Sequence, residues 1–164
     1  MIHLVVRHLR EHNVPFRLAS HPAPEPLPAV APYVPVGGMV VETQLLFLGG
    51  KLAVACIPAG EQLSLPALRN ELRTEVMEGN AADLPPPFAS AAGPFPPLGT
   101  ALGILTVVDQ RVTMATPIVF AAFSRQDYFE IPFDEFARLE RPRIASFAVG
   151  GELPEGHEDL RKAG

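Results

Sequence analysis

Gly38-Met39-Val40-Val41-Glu42-Thr43-Gln44-Leu45-Leu46-Phe47-Leu48, then Gly49-Gly50, then Lys51-Leu52-Ala53-Val54-Ala55-Cys56-Ile57, is the stretch that decides the fold. Two apolar runs separated by two glycines read as an antiparallel hairpin, because a two-residue turn needs positive φ at both positions. The turn sets the register: Leu48 faces Lys51, Thr43 faces Cys56 and Glu42 faces Ile57. Alternation puts Val41, Thr43, Leu45 and Phe47 on one face, and Val40, Glu42, Gln44, Leu46 and Leu48 on the other. Glu42 is then a carboxylate in the middle of an apolar strand. Two readings stand: it faces solvent or an arginine, or it borders a pocket, since buried glutamate is rare unless paired. Lys51 lies roughly 20 Å from Glu42 at the usual rise per residue and reads as a hairpin-end lysine.

Outward from the hairpin, Ile2, Val5, Val6 and Leu9 repeat at helical spacing, and Asn13-Val14-Pro15 ends that helix. Phe16–Ser20 alternates as a short strand. Residues 22–37 are proline-rich and read as a stiffened loop. Ser64 caps a helix whose apolar positions are Leu65, Leu68 and Leu72. Residues 77–100 read as mostly irregular. Gly103–Asp109, Pro117–Phe123 and Asp127–Ile131 read as strands, and Pro132 opens a helix carrying Phe133, Phe136 and Leu139. This order predicts one α/β domain with a mixed sheet and flanking helices over residues 1–148, followed by a polar tail over 149–164.

Composition narrows the function. The chain has 164 residues, 48% of them hydrophobic, which is enough for one core. Its net charge is −5 and it shows no basic stripe, which argues against DNA and against stable nucleic-acid binding and leaves room only for a transient RNA contact. No apolar run approaches the roughly 20 residues that span a bilayer. Charges interleave through the first twelve residues, unlike a signal peptide. The single cysteine, Cys56, excludes an intrachain disulfide and a cysteine-based zinc site. A cytoplasmic protein is the simplest expectation.

The chemistry-bearing candidates are few. Gly93-Pro94-Phe95-Pro96-Pro97-Leu98-Gly99 is a rigid loop suited to recognition by main chain, with Phe95 walling a pocket or filling core. His8 and His12 have i, i+4 spacing but no third ligand in sequence, so they read as solvated helix residues and no metal is expected. Cys56 reads as a buried thiol. Asp109 ends a strand, and Ser124 and Asp127 bracket a turn. Gly-x-x-x-x-Gly-Lys, Gly-x-Ser-x-Gly and Cys-x-x-Cys motifs are absent from the sequence.

In its order of segments the chain resembles the YbaK family, which is related to the editing domain inserted in bacterial prolyl-tRNA synthetases. The resemblance is carried by Val14-Pro15-Phe16 leading to His21-Pro22, by Val41-Glu42-Thr43-Gln44-Leu45-Leu46, by the Gly-x-x-x-Pro of Gly93–Pro97, and by Thr106-Val107-Val108-Asp109. It implies metal-free and cofactor-free hydrolysis of the aminoacyl ester of a misacylated tRNA carrying alanine, serine or cysteine. Aminoacyl-tRNA, and a tRNA synthetase, would be the partners. The resemblance puts Gly93, Pro97 and Glu42 at the catalytic positions, and His21, Thr43, Phe95, Pro96, Gly99, Asp109, Ser124 and Asp127 around the substrate. Two positions depart from the family pattern. The family's lysine falls at Glu42, and Ala122-Phe123-Ser124 lacks the glycine common in the family's ligand-facing turn. The charge reversal opens an alternative: an inactive relative that binds an amino acid or a protein partner. An editing enzyme would show a basic pocket mouth drawn from Arg7, Arg10, Arg17, Arg125 and Arg143.

Overall fold

The computed structural model describes residues 1–20 and 34–150. His21 and most of the proline-rich loop lie outside the described residues, as does the tail from residue 151.

The hairpin forms as its sequence dictates. Strand β2 (Met39–Leu48) pairs with β3 (Lys51–Pro58), with Thr43 opposite Cys56 and Glu42 opposite Ile57. Gly49 and Gly50 both take positive φ, +56° and +82°, as the turn requires. Around this pair an eight-stranded mixed sheet is assembled from β1 (Arg17–Ser20), β5 (Val76–Glu78), β6 (Leu105–Asp109), β7 (Ile118–Ala121), β8 (Asp127–Ile131) and β9 (Arg143–Ala145). The strand order is β1-β8-β7-β2-β3-β6-β9, with β5 added to β2. The β2–β7, β3–β6 and β6–β9 pairs are parallel. A separate two-stranded ribbon joins β4 (Gln62–Leu63) to β10 (Ala148–Val149).

Both faces of the sheet are covered. Helix α1 (Ile2–Glu11) and α4 (Phe133–Glu140) bury Val5, Leu9 and Phe136 against Val41, Cys56, Val108, Phe120 and Phe129. On the other face Leu68 of α2 (Leu65–Leu72) packs on Leu46, Ala55, Ile57 and Val107. Val107 and Val108 fall in different cores, as the period of two demands. Ser64 caps α2 by accepting from the Ala67 amide at 3.2 Å.

Several elements depart from the sequence reading. The segment read as irregular holds β5 and a short helix, α3 (Gly99–Leu102), which closes on Gly103 at φ +78°, so β6 begins at Leu105 rather than Gly103. Strand β7 stops at Ala121, just before Phe123 turns to φ +60°. β4, β9 and β10 have two or three residues each, too few to show a period. No helix among the described residues is long and apolar enough to cross a membrane.

Candidate active site

The site begins with incomplete strand pairing. On its outer edge β2 pairs with β7 only through Met39 and Val40, and with β5 only from Leu46 to Leu48. The Met39 amide donates to the Pro117 carbonyl on that edge, and the Leu45 carbonyl accepts from Gly79 there. By alternation Thr43, between them, directs its N–H and carbonyl to the same edge, where neither β7 nor β5 reaches it. A recess of about 180 Å³ occupies this break. Val41, Glu42 and Thr43 of β2 line it, with Phe120 and Ala121 of β7, Pro94 and Phe95 of the proline loop, and Arg125.

The proline loop is fastened at two points. The Thr43 hydroxyl donates to the Phe95 carbonyl at 2.6 Å, and the Phe123 amide donates to the Pro94 carbonyl at 2.6 Å. Phe95 packs edge-on against Phe123, which stacks on Phe88. Gly93 is exposed, and a Cβ there would make only ordinary contacts, so its place at the loop entrance is not dictated by crowding. Pro96 and Pro97 are buried.

The β7–β8 turn supplies the remaining wall. Phe123 adopts the left-handed conformation that a glycine accepts freely and a bulky residue rarely does. Its aromatic contacts and its bond to Pro94 hold it there. Ser124 Oγ accepts from the Gln126 amide at 3.0 Å, closing the turn around Arg125. Asp127 accepts from the Ser20 hydroxyl at 2.6 Å and so serves the β1–β8 edge.

The lining therefore combines apolar side chains with main-chain polar groups and two charged residues of opposite sign. Glu42 is half-buried and Arg125 exposed, and among the described residues neither has an ion-pair or side-chain hydrogen-bond partner. Of the five arginines expected at a basic mouth, only Arg125 lines it. Arg7 and Arg10 border hollows along α1, Arg17 lies 3.9 Å from Glu130, and Arg143 is on β9 at the far sheet edge. The mouth is mixed in charge, neither basic nor uniformly acidic.

The same architecture recurs among solved structures. The hypothetical protein APE2540 superposes with a TM-score of 0.70 at 17% identity, over 89% of this chain and 99% of that one. A protein described as a candidate trans-editing enzyme for prolyl-tRNA synthetase gives 0.71 at 13% identity, over 90% and 96%. The chain has the YbaK-type fold. The fold also forms part of a larger protein, a candidate signal transduction protein from Marinobacter aquaeolei VT8, with a TM-score of 0.67 at 19% identity over 89% of this chain and 30% of that one. No protein-family model and no curated protein sequence matches the chain.

Within this YbaK-type fold the residues singled out from sequence divide into two groups. Glu42, Thr43 and Phe95 meet at the recess, with Ser124 in the turn beside it. Gly93, Pro96, Pro97, Gly99, Asp109 and Asp127 lie outside its lining, Gly93 and Pro97 on either side of the two loop residues that reach it. A Cβ on Gly99 would meet Thr106 Oγ1 and stand 2.6 Å from the Ile104 carbonyl oxygen, so its glycine is a packing requirement. Asp109 is buried, and its carboxylate accepts from the amides of Arg111, Phe147 and Ala148 at 3.0, 2.9 and 2.7 Å. Cys56 is fully buried, and burial, with Asp109 nearby, pushes its thiol well above its ordinary value.

Sequence reasoning left Phe120 and Ala121 out of the site, and offered Arg125 only as one of five arginines for the pocket mouth. The approach of Phe120 and Ala121 depends on a parallel pairing between strands far apart in sequence, which no turn signals. It also missed a polar cluster under α1. Glu140, buried on α4, accepts from the Thr100 amide at 3.0 Å, the Thr100 hydroxyl at 2.5 Å and the Thr106 hydroxyl at 2.7 Å. His8 Nε2 lies 2.8 Å from the same Thr100 hydroxyl, so His8 is half-buried rather than solvated. Burial lowers its pKa, aided by His12 and opposed by Glu11.

Proposed function

We propose that this domain hydrolyses the aminoacyl ester of a misacylated tRNA carrying a small amino acid, of the alanine, serine or cysteine class, as a trans-editing enzyme in the cytoplasm. The observation that carries the reading is the break in β2 pairing. It opens a strand edge at Thr43 to a recess walled by Val41, Phe95, Phe120 and Ala121, with Glu42 unpaired beside it. A volume of about 180 Å³ suits a small side chain and falls short of the roughly 300–1,000 Å³ of pockets for larger ligands.

In this reading the edge of β2 and the main chain of the Gly93–Pro97 loop hold the aminoacyl group. The Thr43 amide, a main-chain donor already fixed at the strand edge, is suited to stabilise charge developing on an ester carbonyl. Glu42 pairs with the free α-ammonium, which an aminoacyl ester always carries. The attacking oxygen is that of water: it bonds to the ester carbonyl carbon as the bond to the ribose oxygen breaks, and the ribose oxygen leaves with a proton as a free hydroxyl. The likeness in fold to a candidate trans-editing enzyme for prolyl-tRNA synthetase supports this class of reaction.

A second reading is favoured by one residue, since Glu42 stands where the resembling family has a lysine. It would make the chain a non-catalytic receptor for an amino acid or a protein partner. The occurrence of the fold within a candidate signal transduction protein agrees with it. Single-turnover deacylation of alanyl-, seryl- and cysteinyl-tRNA by wild type beside Glu42→Lys separates the two. Hydrolysis by wild type that Glu42→Lys weakens supports editing. A silent wild type, with activity gained in Glu42→Lys, favours the receptor. Silence of both proteins overturns the hydrolytic reading.

A further inference from the structure

We propose that Arg125 is the anion anchor of the recess, taking the 5′-phosphate of the terminal nucleotide while Glu42 takes the α-ammonium of the amino acid. The inference rests on the deacylase reading and deepens it by assigning the two ends of the substrate. The lining of the recess includes one cation and one carboxylate, together with apolar side chains. An aminoacyl-nucleotide has the same polarity: an ammonium at one end, a phosphate at the other and an uncharged ester between.

Arg125 is held available. Arg7, Arg17, Arg111 and Arg138 lie within ion-pair distance of carboxylates, and Arg69 donates to the Val76 carbonyl. Arg125 has no such partner among the described residues, nor have Arg10, Arg73, Arg141 and Arg143, and of these five Arg125 alone lines the recess. It stands at the tip of a turn built to one shape. Phe123 is kept left-handed by Pro94 and two aromatic rings, and Ser124 bridges to the Gln126 amide. A fixed turn spares part of the entropy of ordering a ligand-binding arginine. With a net charge of −5 the chain offers little long-range attraction for a polyanion, so a local bidentate contact has to carry the phosphate. Glu42 repels that phosphate and thereby sets the orientation.

The test is calorimetric binding of the stable amide 3′-alanylamino-3′-deoxyadenosine, with and without a 5′-phosphate, to wild type, Arg125→Ala and Arg125→Lys. Free L-alanine forms a third arm. Arg125 is exposed, so each variant keeps its fold, which thermal melting verifies. Wild type is expected to prefer the phosphorylated probe by about tenfold or more, the scale of a charge-assisted contact. Arg125→Ala should lose that preference and Arg125→Lys should retain part of it. No preference in wild type, or one that Arg125→Ala keeps, overturns the anchor and leaves the deacylation reading to its own assay. Loss of L-alanine binding in Arg125→Ala, with equal affinity for the two nucleoside probes, assigns the guanidinium to a free carboxylate and overturns the phosphate role. Failure of all probes together with silent deacylation overturns both readings.

Discussion

Thr43 donates its hydroxyl to the main-chain carbonyl of Phe95 at 2.6 Å, joining β2 to a loop 52 residues further along the chain. The bond holds the loop across the break in strand pairing. Thr43→Val keeps the shape and removes the donor, leaving a partly buried carbonyl unsatisfied, at a cost of about 1–2 kcal/mol. Urea unfolding should show that loss. Deacylation, if the proposed activity holds, should fall by more than stability accounts for, because the loop that borders the recess is freed at one of its two fastenings.

Phe123 inverts a usual rule. In ordinary positions alanine is the better residue than glycine, but at φ +60° a Cβ is strained and glycine is not. Phe123→Gly should therefore be more stable than Phe123→Ala by about 1 kcal/mol. Both should fall below wild type, because the rings of Phe88 and Phe95 lose their neighbour, yet by less than the roughly 3–5 kcal/mol typical of a buried phenylalanine. Denaturant midpoints of the three proteins decide the order.

Burial raises the pKa of Glu140 above its ordinary 4.5, against the opposing pull of the Thr100, Thr106 and Gly99 hydrogen bonds. For an acid whose folded pKa is raised, the folded protein holds the proton more tightly than the unfolded chain does. Stability is then greatest below the unfolded value and declines as pH rises through the folded one. Wild type measured against Glu140→Gln should accordingly lose ground as pH increases from about 4.5, then run parallel once Glu140 is ionised in both states. Urea midpoints of the pair across that range give the answer, and a difference that grows in favour of wild type would refute it.

Gly99→Ala should act on folding. A methyl group there meets the Thr106 hydroxyl and approaches the carbonyl oxygens of Ile104 and Leu105 to 2.6 and 2.7 Å. Two of these neighbours are backbone and cannot step aside cheaply. A loss of about 1–3 kcal/mol is expected from such overpacking. Thermal melting measures it, and binding of the alanylamino-adenosine probe by the protein that remains folded should be unchanged.

The local parts of this structure were legible in the sequence. Gly49-Gly50 fixes its own turn, and through it the pairing of Thr43 with Cys56 and of Glu42 with Ile57. Ser64 caps the helix it precedes. Legibility ends where pairing becomes non-local. Nothing near Val40 announces that Val119 will lie beside it, so the wall formed by Phe120 and Ala121 could not be placed. Glycine was ambiguous for another reason. A crowded contact and a ligand-facing loop both call for a missing side chain, and Gly99 belongs to the first. Phe123 is the converse, a position of glycine-like backbone whose residue type conceals it.

The opening along β2 is framed at both ends by hydrogen-bonded strand, at Val40 with Val119 and at Leu46 with Glu78. Its length is counted in whole residues, and a change of one would reverse the alternation of every side chain beyond it. The frame is therefore inherited intact or lost altogether, whereas the residues at its border, Glu42 and Arg125 among them, can be exchanged singly without rebuilding the sheet. A domain of this construction can acquire a new ligand by point substitution while its architecture stays constant.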